Sequence, residues 1–181
     1  SECLSGKTFA NHWVHTKFLQ VNGEKMSKSL GNWYTARDLV DGQGVDPLAL
    51  RYALISVPYS KPSNFTNQLL RDAGKIIDRY RECAELVEKT LAKAADGPDV
   101  VGAELTALAD KALDAMCEDL NTSVALAHAY EGTGVIFRAG GGMSKASAAA
   151  CQEYLKRIDA LLGIVPNVSV VAARPSSGVD A

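Results

Sequence analysis

The chain has 181 residues, 47% of them hydrophobic, with a formal net charge of −2 and a mean hydropathy near zero. That length buries a sizeable core, in one domain or two small ones. No apolar run reaches transmembrane length and no basic-then-apolar leader opens the chain, which argues against a membrane protein and makes the cytoplasm the expected compartment.

In chain order, Phe9-Ala10-Asn11-His12-Trp13-Val14-His15 is apolar and aromatic enough to be expected in the core. Phe18–Val21, then Asn22-Gly23, then Glu24–Met26 reads as a two-stranded hairpin, because Asn-Gly supplies the positive φ angles of a type I′ turn. Thr35 is a candidate N-cap for a short helix through Leu39 and Val40, closed by Gly42 and Gly44. Asp46-Pro47 opens a largely apolar helix that is expected to stop at Pro58, and Pro62 keeps the next stretch extended.

From Asn64 or Thr66 the periodicity becomes strongly helical. Leu69, Ala73, Ile77, Tyr80, Ala84 and Leu91 mark one stripe of a long amphipathic helix, with Gly97-Pro98 as its expected end. Leu105 to Met116 carries a second helix, and Asn121, Thr122 or Ser123 caps a third. Gly132 and Gly134 weaken that third helix or mark a close crossing, each costing about 1 kcal/mol relative to alanine in a regular interior. Gly140-Gly141-Gly142 is a connector, Ala148 to Leu162 a fourth helix, and residues 166–181 read as a loose tail.

The expected fold is therefore mainly α. A small mixed α/β segment over residues 1–65 leads into an antiparallel helical bundle over 66–165. Cys3, Cys83, Cys117 and Cys151 are scattered without a C-x-x-C pair or a histidine at metal spacing, so neither a disulfide framework nor a self-contained zinc site is expected. Cys83 and Cys151 fall in phase with apolar stripes and read as small core residues.

The chemistry concentrates at Lys25-Met26-Ser27-Lys28-Ser29-Leu30-Gly31-Asn32, at the hairpin exit. Two cations, two hydroxyls and a glycine on a short loop suit the triphosphate of ATP: the cations oppose phosphate charge, the hydroxyls donate hydrogen bonds, and Gly31 lets backbone come close. A lysine held against the departing pyrophosphate stabilises the transition state more than the ground state. Residues 1–65 carry seven Lys/Arg against five Asp/Glu, and residues 66–181 carry twelve against sixteen. The most basic stretch, Lys61 to Arg81, holds five cations and two anions and hints at a phosphate-facing surface.

KMSKSLGN resembles the second ATP signature of class I aminoacyl-tRNA synthetases, and its surroundings narrow the resemblance to cysteinyl-tRNA synthetase. Phe9–His15 resembles the segment upstream of the signature, Asn22-Gly23-Glu24 its entry, and Thr35-Ala36-Arg37-Asp38 its exit. Asp46–Tyr52 resembles the D-x-x-x-L-R-Y/F helix, Asn64-Phe65-Thr66 the N-F-S/T cap, and Glu118–Thr122 the D-D-x-N-T helix start. The resemblance covers about residues 1–165 in order.

It implies a part of a cysteine–tRNA ligase, which activates cysteine with ATP and Mg and transfers it to tRNA(Cys). Lys25, Met26, Ser27, Lys28 and Ser29 would form the ATP site, with Lys28 as main transition-state stabiliser and Lys25 beside it. Arg51 would set its helix against the loop module, Trp13 and His15 would pack near the site, and His128 would be structural. For the helical part, Lys61, Arg71, Lys75 and Arg79 are the candidate contacts to tRNA phosphates.

The family's H-x-G-H motif, its zinc ligands and its G-T-x-W-R-like anticodon segment do not occur in this sequence. The chain is thus expected to be the second half of the enzyme trimmed at both ends, a monomer inactive alone, with cysteine bound by the missing half and no metal ligand of its own, Cys3 included. Two other readings stay open: the related ligase joining cysteine to an amino-sugar inositol, and a non-catalytic helical interaction module with a degenerate loop.

Overall fold

Asp46 and Thr66 open the two helices that organise the fold. Each accepts a hydrogen bond at the helix start, Asp46 Oδ1 from the Leu48 N–H at 2.9 Å and Thr66 Oγ1 from the Leu69 N–H at 3.1 Å. The computed structural model describes residues 1–166; apart from Pro166, the expected tail lies outside the described residues. One turn, α1 (Glu2–Ser5), precedes the strands β1 (Leu19–Val21) and β2 (Glu24–Lys25). Helix α2 (Pro47–Ile55), strand β3 (Ser63–Phe65) and the 25-residue helix α3 (Asn67–Leu91) follow. Three more helices complete the bundle: α4 (Gly102–Cys117), α5 (Thr122–Ala139) and α6 (Lys145–Leu162). The architecture is mainly α with a small mixed sheet, as the sequence predicts.

The sheet has the order β2-β1-β3. β1 pairs antiparallel with β2 and parallel with β3, with Gln20 opposite both Lys25 and Asn64. Asn22 at φ 52° and Gly23 at φ 83° form the expected type I′ connection. After the hairpin, Thr35 caps a short helical segment reciprocally with Asp38: Thr35 N–H donates to the Asp38 carboxylate at 2.8 Å, and Asp38 N–H to Thr35 Oγ1 at 3.0 Å. Those bonds hold the Asp38 carboxyl below its ordinary pKa. The segment widens into a π turn over Asp38–Gly42, and the left-handed Gly44 lets the Val45 N–H reach back to the Leu39 carbonyl at 3.0 Å.

The bundle core is built from the stripes the periodicity marks. Ile77, Tyr80, Ala112, Ile136, Cys151 and Ile158 come from its four helices, each at most 0–1% exposed. Alanines at 112, 125, 129 and 148 let helices approach closely where larger side chains would hold them apart. Both core cysteines are confirmed as buried, and burial pushes the Cys83 thiol up to about 12 and the Cys151 thiol up to about 11.

Two boundaries differ from expectation. Helix α2 stops at Ile55, where Ser56 Oγ turns back to donate to the Ala53 carbonyl at 2.8 Å, ahead of Pro58. Helix α3 stops at Leu91, well before Gly97-Pro98, because the linker is drawn onto the start of α6. There the Ala95 carbonyl accepts the Lys145 N–H at 3.0 Å, and the Pro98 carbonyl accepts Ser144 Oγ at 2.7 Å. Of the three candidate caps of α5, the structure uses Asn121.

Candidate functional site

The lysine loop leaves the hairpin as a capped turn. Ser27 Oγ accepts the Leu30 N–H at 3.3 Å and lies 3.2 Å from Ser29 Oγ, which folds Lys28–Leu30 into one 3₁₀ turn. Gly31 takes a left-handed φ of 66°, and its N–H returns to the Lys28 carbonyl at 3.2 Å. Asn32 then clasps the loop from outside. Its Oδ1 accepts the Ser27 N–H at 2.8 Å, and its Nδ2 donates to the Lys25 carbonyl at 3.2 Å. The sequence marks Asn32 only as the last letter of a motif; its side-chain amide proves to be what closes the loop.

Both lysines are exposed and rest on aromatic rings. The Lys25 ammonium sits 4.7 Å from the Phe18 ring centre and the Lys28 ammonium 4.9 Å from that of Trp33. Such contacts are worth about 0.5–1 kcal/mol at the surface. Among the described residues no carboxylate lies within 4 Å of either ammonium, so a polyanion meets two positive charges without first displacing an ion pair. Met26, between them, packs half-buried against the core beside Leu19, Tyr34 and Leu39, and anchors the loop. Phe18 and Trp33 are contributors that sequence reasoning passed over.

The expected core segment Phe9–His15 is corrected. Phe9, Trp13 and Val14 are 64%, 66% and 58% exposed, and His15 is exposed too. The Phe9 and Trp13 rings pack on each other at 5.8 Å, tilted by 38°. Apolar composition alone does not say which surface a segment is laid against.

Arg51 is corrected as well. Its Nε donates to the Leu162 carbonyl at 2.7 Å, so it joins α2 to the C-terminal end of α6 rather than to the loop module. That carbonyl end carries the negative pole of the helix, which favours a guanidinium.

The four candidate tRNA contacts separate. Arg71 and Lys75 lie exposed one turn apart on α3; Arg71 donates to Gln68 Oε1 at 2.7 Å, and Lys75 lies 3.4 Å from Asp72. Lys61 is exposed in the turn before β3. Arg79 instead points into the α3–α5 contact, where Nε donates to buried Thr133 Oγ1 at 2.7 Å. Its guanidinium stands 5.0 Å from the Tyr130 ring and 4.7 Å from the Phe137 ring. His128, partly buried, lies 3.5 Å from a Glu131 carboxylate oxygen, and its carbonyl accepts the Tyr154 hydroxyl at 3.1 Å.

Among the described residues no group of three or more His, Cys, Asp or Glu could hold a metal ion, and no helix is long and apolar enough to cross a membrane.

Residues 1–75, which contain the loop and the start of α3, match the family model described as tRNA synthetases class I (C) catalytic domain. A cysteine–tRNA ligase of Salinibacter ruber is 45% identical over 99% of the chain, and one of Solibacter usitatus is 39% identical over 100% of the chain. A third, from Caldicellulosiruptor saccharolyticus, is 34% identical over 93% of it. The chain is similar to a segment of cysteine–tRNA ligases. It spans 37%, 39% and 37% of the lengths of these three relatives. The likeness runs through the bundle as well as the loop, since the family model alone would reach only the beginning of α3.

Proposed function

We propose that this chain is part of a cysteine–tRNA ligase and supplies its KMSKS loop together with a helical, tRNA-facing region. The observation that carries the reading is the pair Lys25 and Lys28, with no carboxylate within 4 Å of either ammonium among the described residues: Lys25 ends β2, and Lys28 sits on the capped turn between the Ser27 and Ser29 hydroxyls. In the reaction a carboxylate oxygen of cysteine attacks the α-phosphorus of ATP. The bond to the bridging oxygen breaks, pyrophosphate leaves with its electron pair, and cysteinyl adenylate forms. A nucleophile already ionised needs no general base.

Charge accumulates on the leaving oxygens. Lys28, as main stabiliser, and Lys25 meet it with ammonium groups fixed before the reaction begins, and Ser27 and Ser29 donate to the same phosphates. Met26 holds the loop to the core. Mg would accompany the ATP. Zinc, which the resemblance implies for the whole enzyme, finds no fitting set of side chains among the described residues. Residues 1–65 act as the end of the catalytic part and residues 66–165 as the tRNA-binding bundle, with Lys61, Arg71 and Lys75 meeting phosphates. Arg79 is left out of that set because its guanidinium is committed between α3 and α5.

The decisive experiment is cysteine-dependent ATP–pyrophosphate exchange by the ligase carrying this segment. Lys28→Ala is expected to lower kcat by about a hundredfold, or roughly 3 kcal/mol, with the KM for cysteine nearly unchanged. Turnover within twofold of the parent would overturn the assignment and favour the non-catalytic module. Supplying tRNA(Cys) or an amino-sugar inositol to the charged intermediate separates the two ligase readings.

A further inference from the structure

A single tripeptide, Asn64-Phe65-Thr66, touches three parts of the fold. Asn64 Oδ1 accepts the Gly23 N–H at 2.8 Å, across 41 positions of sequence. The Phe65 carbonyl accepts the Asn22 N–H at 3.2 Å, and the Phe65 side chain is buried in the core. Thr66 caps α3. Hairpin turn, core and first turn of the longest helix are thereby joined through consecutive residues.

The hairpin needs such a hold. With β1 three residues long and β2 two, it buries little by itself, and a hairpin of that size is marginal in isolation. Its direction is set by the parallel β1–β3 pairing and, beyond the last paired residues, by the two bonds to the Asn22-Gly23 turn. The entry of the hairpin strand is pinned separately. The Lys17 N–H donates to the Tyr59 carbonyl at 2.9 Å, and the Tyr59 hydroxyl donates to Asp119 at 2.7 Å, at the corner between α4 and α5.

We propose that Asn64 is a positioning residue for the lysine loop: its amide oxygen fixes the Asn22-Gly23 turn against the start of α3 and so sets the angle at which Lys25 and Lys28 are presented. This rests on the ATP assignment made above. Asn64 acts through backbone, one residue before the core contact of Phe65 and two before the cap of α3, and meets no nucleotide atom in this role.

The test compares Asn64→Ala with Asn64→Asp in the ligase carrying this segment, because aspartate keeps an acceptor oxygen for the Gly23 N–H. Asn64→Ala is expected to lower kcat of ATP–pyrophosphate exchange by about tenfold, with the KM for cysteine within about twofold. Amide exchange at Gly23 and Ser27 is expected to quicken by at least about tenfold while the amides of α4 to α6 keep their protection. Asn64→Asp is expected to restore both readouts. Gly23 exchange and kcat both unmoved by Asn64→Ala would overturn the proposal. So would a loss that Asn64→Asp fails to rescue, including one in which Asn64→Ala loosens the whole bundle. Full turnover by Lys28→Ala would instead remove the ATP assignment beneath it, so the two failures are distinguishable.

Discussion

At the scale of single residues, two glycines of one helix have opposite meanings. A Cβ at Gly132 would stand 2.2 Å from both Cζ and Oη of Tyr154, whose hydroxyl donates to the Ala129 carbonyl at 2.9 Å. Here glycine is required by the crossing of α5 and α6, because the ring occupies the side chain's place. At Gly134, two residues on, nothing lies within 4 Å of the same imagined atom. Gly132→Ala is therefore expected to destabilise the chain by about 1–3 kcal/mol, as overpacking in a filled core does. Gly134→Ala is expected to stabilise it by up to about 1 kcal/mol, since a helical alanine outranks glycine and costs no space there. Urea denaturation of the two variants checks both signs at once. The sequence shows two glycines that weaken a helix, and only the neighbour on α6 tells which one can be replaced.

At the scale of elements, what proved legible was local, and what did not was set from a distance. The hairpin follows from Asn22-Gly23, because few other dipeptides accept two positive φ angles in succession. Helix α3 follows from a stripe that returns every three to four residues over its whole length. Strand β3, by contrast, is only Ser63-Asn64-Phe65; its pairing with β1 and its grip on Gly23 depend on residues some forty positions away. The early end of α3 is likewise decided at the start of α6. The candidate site divides the same way: its lysines and serines are visible as a motif, whereas the ring beneath Lys25 and the clasp of Asn32 emerge only on folding. Arg51 is the clearest long-range link between elements, 111 positions from the carbonyl it serves. Arg51→Met keeps most of the stem and removes the charged donor, leaving the last carbonyls of α6 short of a partner. Its expected cost is about 1–2 kcal/mol, read as a lower urea midpoint at unchanged slope. An unchanged midpoint would mean that water serves the carbonyl equally well.

At the scale of the whole molecule, charge is arranged against the net balance. The chain is mildly acidic overall, yet the loop lysines, Lys61 and, on α3, Arg71 and Lys75 are exposed cations, although residues 66–181 taken together carry the acidic excess. A uniform surface of net charge −2 would repel tRNA weakly everywhere; on the reading proposed above, these exposed cations are where its phosphates dock. If Arg71 and Lys75 each neutralise a phosphate, their contribution comes from counterions released by the nucleic acid and must fade as salt rises. Reversing both to glutamate is expected to weaken tRNA(Cys) binding by about tenfold or more at low salt. The slope of log affinity against log salt should become shallower by about 1 to 2 units. Neither residue is buried, and their partners Gln68 and Asp72 are exposed, so thermal stability should move little. Cysteine-dependent ATP–pyrophosphate exchange, which involves no tRNA, should be unaffected. That combination separates a docking face from a solvated helix face: the same double reversal with unchanged affinity and slope would assign α3 to structure alone and move the tRNA contact elsewhere on the molecule.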